Sequence, residues 1–205
     1  MATDFHSLSL LVPASEVPPR FDSAEAIAEY HETNLYEQSD EGVVNYVMTY
    51  SRRGWLVEAL ETLCRMAAVN ALSFLYSADA KRVQWQFEET IGDRPWCLWA
   101  ARQLKTDELL PAVAAISKLF EWSQGHVPQL AADNFLGYFG NEDEIAEAID
   151  APVVTTEPTL GESVPCSDDG DGPWCLYSYL RSLQTLMRQA IESNASVMHI
   201  VQLPR

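Results

Sequence analysis

Between Arg53 and Ser77 the apolar residues Leu56, Leu60, Leu63, Cys64, Ala67, Ala71, Phe74 and Leu75 recur at steps of three and four. That period puts them on one broad stripe of an α-helix and leaves Glu61 and Arg65 paired one turn apart on another side. A stripe of this width has to be buried, so other elements must fold against it. A second stripe, Leu176, Leu180, Leu183, Met187, Ala190 and Ile191, predicts a helix over Pro173–Ser193, with Arg181 and Arg188 off the stripe and Asn194 as its stop.

The remaining pattern also reads as mostly helical. Asp22 is placed to cap a helix through Ala26, Ile27 and Tyr30, and a short helix is expected through Val43, Val44, Val47 and Met48. Further helices are predicted over Ala80–Thr90, Pro95–Leu104, Asp107–Trp122, Gln129–Phe139 and Glu142–Ile149; Thr106 is the candidate cap before the third of these, with Pro111 in its first turns. Only the segments His6–Val12 and Ser196–Leu203 look like strands, and they are expected to pair with each other. The fold class predicted is therefore mainly α (α+β): a helical bundle-like single domain with a small sheet formed by the N- and C-terminal strands. At 205 residues and 23.0 kDa the chain has room for one well-buried core. Within that core the stretch 151–172, with Pro152, Pro158, Pro165 and three glycines, reads as a long acidic loop and a candidate for contact with a partner.

One heptapeptide occurs twice. GDRPWCL at Gly92–Leu98 returns as GDGPWCL at Gly170–Leu176, with six of seven positions identical. Glycine permits a turn, aspartate caps free N–H groups, proline tolerates a first helical turn, and Trp and Leu open a buried face. Both copies are thus expected to start helices. An internal duplication stays open, because apolar positions beyond the two copies partly coincide while Pro111 falls on Gln189.

Charge narrows function. Thirty acidic residues against thirteen basic ones give −17, which disfavours direct binding to nucleic acid or to anionic membranes. From Leu119 to Leu180 there is no Lys or Arg, while the interval holds twelve acids. Among them Glu142, Asp143, Glu144 and Glu147, with Asp168, Asp169 and Asp171, form the candidate partner-binding set. Solubility alone is the competing account of such a surface. The first residues lack a basic stretch and a hydrophobic region of signal-peptide length, and the most apolar helix is interrupted by Glu58, Glu61 and Arg65, so a cytoplasmic location is expected.

Chemistry-bearing motifs are sparse. Cys64, Cys97, Cys166 and Cys175 form no CxxC pair and are expected to be reduced thiols; Cys64 falls in the apolar stripe. Cys97 and Cys175, at expected helix N-termini, would have lowered pKa values and are the candidate nucleophiles of a cysteine-dependent enzyme. His6, His31, His126 and His199 show no metal-ligand spacing, SDDGDG lacks the ligands of a calcium loop, and there is no nucleotide-binding glycine motif, so neither cofactor, metal nor catalytic set is assigned.

In general character (small, acidic, mainly helical, without catalytic signature) the chain is similar to bacterial immunity proteins, which mask a toxin domain. That similarity implies a cytoplasmic protein that neutralises a basic protein partner by protein–protein interaction. A nucleic-acid-mimic inhibitor, the cysteine-dependent enzyme and a helical adaptor are the alternatives.

Overall fold

The computed structural model describes residues 5–36, 46–51, 55–77, 83–132, 141–151, 163–166 and 172–204. Its centre is a sheet and not a bundle. The strands are β1 (Phe5–Val12), β2 (Tyr46–Ser51), β3 (Trp85–Ile91), β4 (Arg94–Leu104), β5 (Ser163–Cys166) and β6 (Ser196–Pro204), and their order across the sheet is β3-β4-β6-β1-β2-β5. The first five in that order are antiparallel to their neighbours; β5 joins the edge parallel to β2. The helices are α1 (Ala24–Tyr36), α2 (Trp55–Met66), α3 (Thr106–Gly125), α4 (Val127–Ala132), α5 (Glu142–Asp150) and α6 (Gly172–Glu192), with a 3-10 turn at Ser73–Leu75.

The expected bundle with a small sheet is therefore overturned, and the reason lies in the strands misread as helices. Ala80–Thr90 and Pro95–Leu104, both predicted helical, are β3 and β4 where described, and the segment around Val47 and Met48 is β2. From Val83 to Thr90 exposure alternates residue by residue, with Trp85 and Phe87 half-buried and Gln84, Gln86 and Glu88 exposed, the period of a half-covered strand. In β4 the run Cys97–Ala101 is buried without a break, because both faces of this strand are covered.

Alternation across β1, β4 and β6 sorts side chains into two cores. Phe5, Leu98, Ala100, Val197 and Val201 meet α2, α3, α5 and α6 on one face. Leu8, Leu10, Cys97, Trp99, Ala101, Met198 and Ile200 meet Ala24 and Ile27 of α1 on the other. The result is three layers, helix, sheet and a thicker helical layer. The expected pairing of β1 with β6 holds, but at the middle of the wide sheet, with Leu8 opposite Ile200.

α6 anchors the thick layer. Tyr177, Tyr179, Leu180, Leu183, Leu186 and Met187 are fully buried, and each such Leu stabilises the fold by roughly 1.5–3 kcal/mol through lost apolar exposure. Pro173 sits in its first turn, where its missing N–H is not needed. Asn194 ends the helix as expected, in the left-handed region at φ 54°, while the Ala195 N–H closes back on the Ala190 carbonyl at 2.8 Å. α2 ends in the same way but earlier than its stripe predicts: Ala68 takes φ 51° and the Val69 N–H bonds the Cys64 carbonyl at 2.8 Å. No described helix is long and apolar enough to cross a membrane.

Candidate functional site

α5 carries the part of the acidic set that the structure describes. Glu142, Asp143, Glu144 and Glu147 are exposed, while Ile145, Ala148 and Ile149 are buried; Asp168, Asp169 and Asp171 lie outside the described residues. Two of these features are local. Asn141 Oδ1 accepts the Glu144 N–H at 3.0 Å and Glu144 Oε2 accepts the Asn141 N–H at 3.1 Å, so Glu144 is half of a capping box. Acids in a first turn also favour the helix dipole by about 0.3–1 kcal/mol each.

At the other end of α5 the chain's first cation after Lys118 turns inward. Arg181 of α6 donates from Nη2 to the Ala148 and Ile149 carbonyls, both at 2.9 Å, and its guanidinium lies 5.2 Å over the Phe120 ring. It thus satisfies carbonyls that the last turn of α5 leaves open, the place where a helix dipole favours positive charge. Burial lowers its pKa, and the Asp150 carboxylate acts in the opposite sense. Asp150 accepts the Gln124 amide at 3.0 Å, beside a shallow hollow of about 220 Å³ lined by Gln124, Val127, Ala146, Ile149 and Asp150.

The cysteines do not sit as expected. Cys97 is in the middle of the sheet, fully buried on β4, and not at a helix start. Its thiol donates to Glu89 Oε2 and receives Gln202 Nε2, both at 3.2 Å. Burial pushes the thiol up to about 12; the Gln202 donation works against that rise, and the Glu89 carboxylate adds to it. Cys64 is buried and also pushed up to about 12, by burial, with Tyr76 opposing. Cys175 is disulfide-bonded, against the expectation of reduced thiols, and its partner lies outside the described side chains. A thiolate is the nucleophilic form, so neither candidate thiol is set up to attack in this arrangement.

The histidines, which show no metal-ligand spacing in the sequence, are spread over separate places in the fold. His199 of β6 is buried in the larger core, where Nδ1 and Ser9 Oγ are 2.8 Å apart and the Phe74 ring lies 5.3 Å away edge-on. Beside it on that face Ser7 Oγ meets Tyr179 Oη at 2.9 Å. His31 is buried under α1, edge-on to Trp99 at 5.5 Å and to His6 at 6.4 Å. His126 is different: half-buried at the end of α3, it stacks on Trp122 at 4.2 Å with Nδ1 2.7 Å from the Trp122 carbonyl. Spacing gave the signal, since His31 follows Ala24 and Ile27 at helical steps and His199 alternates with Val197 and Val201. Among the described residues no group of three or more His, Cys, Asp or Glu is placed to hold a metal ion.

No protein-family model matches the chain, and no curated protein or solved structure matches it.

Proposed function

We propose that this is an acidic binding protein that docks a basic protein partner through the outer face of α5, in the manner of an immunity protein masking a toxin domain. The observation that carries the reading is the position of Arg181, which is spent on the Ala148 and Ile149 carbonyls and leaves Glu142, Asp143 and Glu147 exposed without a basic neighbour in sequence from 119 to 180. Uncompensated charge of one sign on a helix that is itself firmly packed steers a partner of opposite sign and raises its association rate. Such an interaction weakens with salt.

The test is a tagged pull-down from native cells at low and high salt, comparing the wild type with Glu142→Lys/Asp143→Lys/Glu147→Lys. Glu144 is left in place because its carboxylate caps α5. A single basic protein retained at low salt, and released both by salt and by the triple variant, is the expected result. Retention that is indifferent to salt and to charge, or no retained protein, overturns the proposal. Retained nucleic-acid-binding proteins that free DNA or RNA displaces would instead indicate a nucleic-acid mimic.

A further inference from the structure

Among the described elements α1 alone covers its face of the sheet, and its cover is thin. Among its described side chains the buried ones are Ala24, Ile27 and His31, with Ala26, Ala28 and Tyr30 partly buried beside them. The opposite face carries most of the buried core, from four longer or better-packed helices. A titratable ring thus occupies one of the few positions that hold α1 down.

The surroundings of that ring suit only its neutral form. Nε2 of His31 has no hydrogen-bond partner among the described residues. Among the described residues the titratable groups on the sheet face beneath α1 are His6 on β1, Tyr46 on β2, Glu89 on β3 and Cys97 on β4; on α1 itself Tyr30 is half-buried and Glu25, Glu29 and Glu32 are exposed. Glu89 Oε2 already takes the Trp99 Nε1–H at 2.7 Å and the Cys97 thiol at 3.2 Å. Gln202 spends its amide on Cys97. His6 is the group whose charge acts on His31, and it is of like sign.

We infer that α1 is an acid-released cover: protonation of His31 undocks it from the sheet and bares Leu8, Leu10, Trp99 and Ile200 while the α6 face stays closed. Burial, and after it His6, holds the docked ring down to about 4, whereas an undocked ring returns to the ordinary value near 6.5. Protons therefore bind the undocked form first. Docking is fully supported above pH ~6.5 and weakens as pH falls toward 4, by on the order of 100-fold at pH 4. His199 is held still lower, at about 3, by burial and then by Arg102. Charging it requires opening the larger core, so α1 moves first.

Hydrogen exchange of the intact protein between pH 7 and 4, corrected for intrinsic rates and read by mass on peptides from α1, α6 and β6, tests this. The expected result is a loss of α1 protection on the order of 100-fold while α6 and β6 keep theirs, and a His31→Leu variant in which α1 keeps its protection. Should the variant dock poorly at pH 7, the ring proton of His31 in the wild type, followed by NMR, has to titrate well below 6.5. An α1 that stays protected to pH 4, that opens in step with β6, or that opens equally with leucine at position 31 overturns the inference, as does an ordinary titration of His31.

Discussion

The two copies of GDxPWCL take opposite structures. At Gly92–Leu98 the Gly-Asp pair is the two-residue turn between β3 and β4, with Gly92 at φ 62° and Ile91 opposite Arg94. A positive φ at the first turn position is where glycine is favoured in such hairpins. A register shift between Glu89 and Thr90 leaves Trp96 as the extra residue of β4, next to Pro95, whose missing N–H is tolerated near a bulge. Cys97 and Leu98 then point to opposite cores. In the second copy the helix starts at Gly172, Trp174 is exposed, and Cys175 and Leu176 are buried together. What precedes and surrounds each copy decides its structure: β3 offers a pairing partner to the first, and the apolar stripe from Leu176 to Ala190 carries the second into a helix.

The widest separation between the copies is expected at their cysteines. Under native conditions Cys97 should alkylate on the order of 1,000-fold more slowly than in the unfolded chain, because at a pKa of about 12 it holds almost no thiolate. Cys175 should not alkylate even in denaturant until a reductant is added. Peptide mass spectrometry with iodoacetamide reads both, and fast native labelling at Cys97 would break the contrast.

The leucines differ next. Leu176 is wholly buried in the thick layer and Leu98 is 8% exposed, so Leu176→Ala should cost about 4–5 kcal/mol and Leu98→Ala nearer 2 kcal/mol. Urea midpoints give the comparison, and a reversed order would mean that the β4 copy sits in the tighter core.

The smallest effect sharpens the point most. Arg94→Gly makes the two heptapeptides identical, at an exposed strand position where glycine costs roughly 0.5–1 kcal/mol. Far-UV circular dichroism should be unchanged and the melting temperature slightly lower. A gain of helix would show that the single differing residue, and not the context, sets the structure.

The same contrast explains what could be read in the sequence. α6, α3, α5, β1 and β6 follow from stripe, cap or alternation: Asn194 ends α6, and Asn141 with Glu144 starts α5, by chemistry local to the chain. β3 also had its signal, since the alternation through Trp85 and Phe87 runs into Gly92-Asp93, a hairpin turn. It was masked by β4, whose run WCLWAA is apolar on both faces and so lacks a strand's period. The end of α2 had no signal, because Ala68 takes a left-handed conformation that disfavours alanine and tertiary packing holds it there. For the candidate site, the exposed carboxylates of α5 could be located from the sequence. The inward turn of Arg181 could not, since it depends on contacts between distant segments, whereas the burial of His31 was signalled only by its helical spacing from Ala24 and Ile27.

The neighbouring of β1 and β6 reaches beyond packing. Ser9 meets His199 across 190 positions of sequence, so the centre of the sheet is closed by two segments that lie far apart along the chain. Until β6 pairs, β1 and β4 each present an open edge, and pairing at such a sequence separation slows folding because a long loop must close before any reward arrives. A chain in which β6 has not yet paired would display two adhesive strands flanking a gap, which makes the insertion of β6 the step that quenches self-association.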